Sequence, residues 1–479
     1  MLERLERIVS TKWFMIANVV ITFFFWVMAD KSADHVDVWT LIGYSFFFGL
    51  VSVMLVLFKN TSYLVTPILC SLFVTGVNQN ATFNVDTLNN APYLIVFVIL
   101  VVSAFIYHFI RFKVKLRGGA LTLGLLLIAI GYVLSFTIND NTKNSMVTYI
   151  LQVIVGPIYL FIYLLLIDTS KETKIEKTIF LLFLVGILIS LQFIASYARC
   201  LIMYVSSGDA ENVISAFKYG ISNKWEHFEL GYGVLNDGAM YLAFFMPTSM
   251  YYICKRKNNW PFILVFVLQV GLGLISVSRG GYIGIGISFI LSAIVLFKYA
   301  SKTTKIAFGS VVGVAVIVLV SFPGLASSII ERFKSMMGDN IGDASNGRFE
   351  LYRMAIEQFI EKPFVGGSFF ANISDGSLIY ANRPIIYHST IFHVLGTMGL
   401  VGVGALIFHL YQVGKLFKKK FSFGVLILLV GMVATHIHGL IDNTFYMVNY
   451  MIITILIYVA VEKSEPNELI INTEKVETL

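Results

Sequence analysis

The chain has little charge and few cysteines, and each shortage excludes a class of protein. Only 13% of its 479 residues are charged, whereas a soluble domain carries roughly 25%, so composition alone excludes an ordinary water-soluble enzyme. Its three cysteines, Cys70, Cys200 and Cys254, show no paired spacing and support neither a disulfide framework nor a metal site. Neither a G-x-x-x-x-G-K-[ST] loop nor a G-x-G-x-x-G fingerprint occurs, so no nucleotide site is expected.

Long apolar runs fill the rest of the chain, of which 57% is hydrophobic. A bilayer crossing needs roughly 17–25 apolar helical residues, which predicts an all-α polytopic membrane protein with about fourteen transmembrane helices. We expect no cleaved signal peptide, because the first run lacks the small residues of a cleavage site. The predicted spans are 13–29, 38–58, 62–77, 92–110, 119–138, 147–167, 178–204, 232–254, 260–278, 281–298, 305–322, 388–412, 423–440 and 444–461.

The basic residues predict the orientation of these spans. Most of the 35 Lys and Arg fall in every second loop when the N-terminus is placed in the cytoplasm, as the positive-inside rule requires. Both termini are then cytoplasmic, and the long connections 205–231 and 323–387 face outward. The net charge of +7 therefore reflects membrane topology and not a nucleic-acid partner.

The predicted organisation has four parts. A bundle of about eleven spans covers 1–322, an external loop with two amphipathic helices covers 323–387, three spans cover 388–461, and a cytoplasmic tail covers 462–479. An outward-facing loop has no access to ATP or nucleotide sugars, so an enzyme with its site there needs a preactivated substrate.

The external loop 323–387 holds the first candidate residues. Its hydrophobic spacing predicts one helix from Ala326 to Met337 and a second from near Arg348 to before Pro363. Arg348 would stand at a helix N-terminus, where backbone N–H groups and a guanidinium both favour phosphate. The structural alternative is an interfacial helix whose arginines contact lipid headgroups. Arg353 is a weaker candidate, because it lies five residues further on and need not share a face with Arg348.

Three more residues stand at the outer ends of predicted spans. Arg279 lies between two apolar runs, where an ionisable side chain is costly and usually faces a cavity or partner, and Arg199 is a weaker example. His388 opens the span after the loop and can act as a general base. For each, the alternative is a purely structural role. The set His388, His393, His436, His438 and Asp442 has spacings that do not bring ligands together on one helix face, so no metal is expected.

The order of several short motifs resembles one family. Ser-Arg-Gly at 278–280 is followed by Gly-Arg-x-x-x-Tyr-x-x-Ala-Ile at 347–356, Lys-Pro-Phe-Val-Gly-Gly-Ser at 362–368 and Tyr-His-Ser-Thr from 387. This series, clearest over 270–412, is similar to the O-antigen polymerase/O-antigen ligase superfamily, whose members transfer lipid-diphosphate-linked glycans.

The resemblance implies a GT-C-type glycosyltransferase fold with an inverting reaction that needs neither metal nor cofactor. It implies that Arg279 and Arg348 bind the diphosphate and that His388 activates the acceptor or stabilises the leaving group. Glu350 and Asp375 are alternative bases. The family histidine is commonly followed by Asn, whereas this chain has Ser389, whose hydroxyl could orient the imidazole instead.

The function expected from the resemblance is a polymerase of polyprenyl-diphosphate-linked repeat units at the outer face of the bacterial cytoplasmic membrane. Its product would be a capsular, exopolysaccharide or O-antigen chain. Its partners would be membrane lipid and other assembly proteins, such as a flippase and a chain-length regulator, with no nucleic acid. A ligase that uses another acceptor and a polysaccharide flippase are the two alternatives.

Overall fold

The computed structural model describes most of the chain as helices. The described residues are 2–30, 37–75, 93–138, 146–171, 174–321, 347–368, 387–442 and 447–465, with single positions 327, 330, 334 and 444. Apart from positions 327, 330 and 334, the first loop helix predicted at 326–337 lies outside them, as does the alternative base Asp375. Within these ranges the fold is all-helical, with a short 3-10 helix at Thr61–Leu64 and no strand.

The helices follow the predicted apolar segments closely. They are α1 (Leu2–Val9), α2 (Lys12–Met28), α3 (Val38–Leu57), α4 (Val65–Ser71), α5 (Tyr93–Phe112), α6 (Thr122–Ile138), α7 (Met146–Thr169), α8 (Ile175–Ser207), α9 (Val213–Ser222), α10 (Leu235–Phe245), α11 (Thr248–Lys255), α12 (Trp260–Ile275), α13 (Arg279–Tyr299), α14 (Lys302–Ser321), α15 (Arg348–Glu361), α16 (Thr390–Lys419), α17 (Phe423–His438) and α18 (Val448–Glu462).

The chain is an integral membrane protein, since four described helices, α3, α8, α13 and α16, are long and apolar enough to cross a bilayer. Counting α1 and α2, which meet at 68°, as one broken span gives a fifth. Six further apolar helices are shorter, at 10–17 residues. The count of about fourteen spans stays a prediction.

Two predicted spans differ from the helices. The segment 232–254 forms α10 and α11, separated at Met246 and Pro247, and proline cannot donate the backbone hydrogen bond that would continue the helix. The segment 62–77 contains only the 3-10 helix and α4, which has seven residues. Neither the 3-10 helix nor α4 is long enough to cross a bilayer alone.

Helix α16 is broken at Gly399, and the segment that follows α15 docks into the break. Gly399 has φ 58° and ψ −151° inside the helix. The backbone N–H of Leu400 donates to Pro363 O at 2.8 Å, and that of Gly367 donates to Gly396 O at 2.8 Å. Gly366 has φ 67°, and a Cβ there would lie 2.4 Å from Met398 N. The motif 362–368 therefore needs its glycines because two backbones touch at this point.

This docking fixes α15 against α16. The Tyr352 ring stacks on Phe392 of α16 with centroids 4.3 Å apart, and the Tyr387 hydroxyl donates to the Gln358 side chain. Buried Met354 and Ala355 complete the contact. The start of α15 is consequently held over the first turn of α16 and the C-terminal end of α17.

Candidate active site

Arg348 is the first residue of α15, as the sequence predicts. Gly347 caps the helix with φ 78°, a conformation that favours glycine. The Arg348 guanidinium donates to Ile441 O at 2.6 Å and lies 3.5 Å from Asp442 Oδ2. Its side chain is 20% exposed, so two contacts fix the guanidinium while part of it stays open to a ligand.

Asp442 also holds His388. Asp442 Oδ1 lies 3.0 Å from His388 Nδ1, and an ionised carboxylate can only accept a hydrogen bond. Nδ1 is therefore the donor, and the Nε2 of a neutral imidazole is left as the acceptor. The histidine side chain is 41% exposed, whereas that of Asp442 is 10% exposed. This arrangement suits a general base that a buried carboxylate orients.

The surroundings of Asp442 keep its carboxylate ionised. Burial acts to raise its pKa, but the hydrogen bond with His388 and the charges of His438, His388 and Arg348 outweigh burial and lower the pKa below its usual value. Asp442 lies between α17 and α18. It is thus a buried anion stabilised by the two groups that it positions.

The backbone around His388 is fixed in an uncommon conformation. His388 has φ 46°, which non-glycine residues rarely adopt. Its carbonyl accepts from the Tyr352 hydroxyl at 3.1 Å, and the Thr390 N–H donates to Gly439 O at 2.8 Å, which joins the start of α16 to the end of α17. The Ser389 side chain makes no capping bond. Asp442, and not Ser389, is the residue that orients the imidazole.

Arg279 begins the helix that packs beside this cluster. Ser278 caps α13 by accepting from the Gly281 N–H at 2.9 Å. A Cβ on Gly280 would lie 2.6 Å from His438 Nε2, so α13 and α17 are in close contact at this level. His438 interacts electrostatically with Asp442 and Arg348. Arg279 is therefore next in sequence to Gly280, the residue at which α13 touches His438. His438 in turn borders the group of Arg348, His388 and Asp442.

Asp237 is a site residue that the sequence reading missed. It lies in the first turn of α10, where its carboxylate accepts from the Val234 N–H at 2.9 Å. It interacts electrostatically with Asp442 and His388. The available signal was an acid inside a predicted apolar span, which usually marks a functional position. We define the site cluster as Arg348, His388, Asp442, His438 and Asp237.

The other candidates lie elsewhere. Arg353 is exposed on α15 and pairs with Glu350 and with Glu357, the latter at 3.2 Å, so neither Arg353 nor Glu350 points into the site cluster by these contacts. Arg199 lines a separate cavity beside α2 and α8. The substrate roles of these residues stay predictions.

Comparison with known proteins supports the family indicated by the motifs. Residues 264–408 match the model of a family described as O-antigen ligase, a stretch that includes Arg279, Arg348 and His388. No curated protein matched the chain. The resemblance to the O-antigen ligase/polymerase superfamily is thus confirmed, and members of this family are glycosyltransferase-like enzymes that act on lipid-linked glycans.

Proposed function

With an O-antigen ligase domain at residues 264–408 as the premise, we propose that this protein polymerises polyprenyl-diphosphate-linked oligosaccharide repeat units. The reaction takes place at the outer face of the bacterial cytoplasmic membrane. The observation that carries this proposal is that Arg348 and His388 share one buried carboxylate, Asp442. An anion-binding cation and a base are held side by side on a membrane protein.

Each group has a defined part in the proposed transfer. The acceptor hydroxyl oxygen attacks the anomeric carbon as its proton passes to His388 Nε2. The bond between that carbon and the diphosphate oxygen breaks on the opposite face, which inverts the anomeric centre. Arg348 and Arg279 stabilise the charge that grows on the departing diphosphate, an effect that often dominates catalysis. Asp442 stabilises the imidazolium that forms and keeps its ring in place.

The outward orientation is supported by which segments meet. Topology predicted from the basic residues places the starts of α10, α13 and α16 and the end of α17 on the outer side. These same four ends surround the site cluster. A cluster at the outer end has access to a flipped lipid-linked donor and has no access to nucleotides. The donor therefore brings its own leaving group.

His388 is a better base than Glu350 on the geometry of α15. Glu350 is exposed and pairs with Arg353, which stabilises its ionised, weakly basic form. His388 belongs to the site cluster, and its bond from Nδ1 to Asp442 leaves Nε2 as the atom that can accept a proton. We therefore assign the proton acceptor to His388.

The second candidate function is a ligase, which the description of the matching family favours. A ligase uses the same donor and the same groups but transfers finished glycan to a different acceptor. We propose the polymerase, in which the acceptor is another lipid-linked repeat unit.

Replacement of Arg279, Arg348 and His388 by alanine, one at a time, tests this function. In cells, each variant should stop polymer formation and leave single lipid-linked repeats on the outer face of the membrane. The matched control is Arg256→Ala, an exposed arginine on the opposite side of the predicted topology, which should not change polymer length.

The accumulated intermediate separates the alternatives. Long lipid-linked chains that are not transferred would indicate a ligase, and single repeats retained on the inner face would indicate a flippase. Unchanged polymer in all three variants would refute the assignment of the site cluster.

A further inference from the structure

A polar cavity of about 350 Å³ lies between α2, α8 and the segment that leads to α10. Its walls include Trp26, Asp30, Ala195, Arg199, His227 and Glu229. This volume is within the range of pockets that take small-molecule ligands. None of the five residues of the site cluster lines it.

The cavity is built on fixed contacts between distant parts of the chain. The Ser196 hydroxyl of α8 donates to Glu229 O at 2.9 Å, and the Trp26 indole of α2 donates to Leu230 O at 2.8 Å. The backbone at 229–230 is therefore bound to two helices. Ala195 and Arg199 are four residues apart on α8 and so lie on one helix face.

The chemistry of the walls suits a neutral polyhydroxylated ligand. Arg199 and His227 supply donors, whereas Asp30 and Glu229 supply carboxylate acceptors for hydroxyl groups. Two carboxylates in one pocket disfavour a diphosphate, because like charges repel. Ala195 and Trp26 add apolar wall against which the carbon atoms of a sugar ring can pack.

The position of the cavity connects it to the site cluster. Glu229 lines the cavity, and Asp237 of the site cluster follows it by eight residues. Eight residues span at most about 29 Å even when fully extended, so an oligosaccharide is long enough to reach from one to the other. By the predicted topology, α2 ends and α10 begins on the same outer side.

We propose that this cavity binds the acceptor glycan, at sugar residues some distance from the hydroxyl that reacts. The proposal rests on the proposed glycan transfer and adds a site for its second substrate. The diphosphate of the donor binds at Arg348 and Arg279, and the acceptor glycan extends from His388 towards Arg199 and Glu229.

The test uses the full-length protein in detergent, with lipid-linked repeat units as the donor and lipid-free repeat oligosaccharide, released by mild acid, both as the varied acceptor and as the binding probe. Arg199→Gln and Glu229→Gln should each raise the KM for acceptor and the Kd for the probe by roughly 10-fold or more, as expected for a lost hydrogen bond to a charged group. The KM for donor should not change. Lys218→Gln and Glu211→Gln are the matched controls, since both side chains are exposed on the outer loop and neither lines the cavity.

A second type of variant guards against misfolding. Ala195→Leu narrows the cavity while every charge remains, and it should weaken binding of the probe without lowering the thermal midpoint of the protein. If Arg199→Gln does not fold, this variant alone decides the matter.

The outcomes separate this proposal from the proposed function. If the wild-type protein transfers glycan and the cavity variants keep normal Kd and KM, the cavity is not the acceptor site. If the variants raise only the KM for donor, the cavity serves the donor and the proposal is wrong. If the probe binds in the cavity but no transfer is seen, the proposed function fails and glycan binding stands. If the wild-type protein neither binds the probe nor transfers glycan, both proposals fail.

Discussion

Replacing Asp442 with asparagine tests the shared carboxylate at the centre of the site cluster. The side chain keeps its size, but its charge is lost at the 3.0 Å contact with His388 Nδ1 and the 3.5 Å contact with Arg348. A hydrogen bond to a charged group contributes about 1.5–3 kcal/mol, which corresponds to roughly 10–100-fold in rate. The longer contact with Arg348 should matter less, since Arg348 keeps its bond to Ile441 O at 2.6 Å.

We therefore expect Asp442→Asn to lower kcat by roughly 10–100-fold and to change the KM for the lipid-linked repeat unit much less. The assay is transfer by purified protein with lipid-linked repeat units as the only glycan. Asp209→Asn is the matched control, because Asp209 is exposed in the connection between α8 and α9. Combination of Asp442→Asn with His388→Ala should cost little more than His388→Ala alone, since both act on one proton transfer. A fully additive double variant, or a kcat within twofold of the wild type, would refute the reasoning.

The same carboxylate gives a pH dependence with a defined sign. The pKa of Asp442 in the folded protein lies below its usual value, so its ion pairs stabilise the fold at pH values above the unfolded pKa of about 3.9. This stabilisation is lost as the pH falls through the lowered folded pKa. The thermal midpoint of the wild type should therefore show an acid decline that Asp442→Asn reduces. Identical decline in both proteins would show that other carboxylates control acid stability.

Three further substitutions test the surroundings of the site cluster. Gly366→Ala should weaken the docking of the segment after α15 by about 2 kcal/mol or more, because Gly366 has a positive φ and lies against backbone atoms. Limited proteolysis should then cleave this segment faster. Gly404→Ala, at a position with nothing within 4 Å, should leave the cleavage rate unchanged. Gly280→Ala should displace the imidazole of His438 and so weaken donor binding about tenfold, or by about 1.4 kcal/mol. Titration of the donor into this variant and into Gly286→Ala, at an open position of the same helix, measures the difference. Arg353→Ala should leave both polymer length and thermal midpoint nearly unchanged, because exposed ion pairs contribute little; loss of polymer would restore Arg353 as a substrate contact.

Local features of the fold were predictable because their causes lie close together in sequence. Helix α13 begins and ends within two residues of the predicted span 281–298, since apolar length decides where a helix can cross a bilayer. Helix α15 begins at Arg348 and ends before Pro363, as expected. A glycine before the helix and a proline after it are local signals.

The break in α16 was not predictable from hydropathy. The predicted span 388–412 is apolar on both sides of Gly399, and nothing local marks this glycine among the others of the segment. Its unusual backbone exists because Pro363 and Gly366, more than thirty residues earlier, approach the helix there. Such a contact is a property of the packed chain.

The sequence by itself determined that this protein lies in a membrane, which way its loops are expected to face, and that Arg279, Arg348 and His388 are the candidates for chemistry. Only the tertiary structure decided what holds them. His388 and Asp442 are 54 residues apart, and Arg348 and Asp442 are 94 apart, so no spacing rule could pair them. Composition and periodicity act within one helix, whereas a buried carboxylate acquires its partners only when separate helix ends meet.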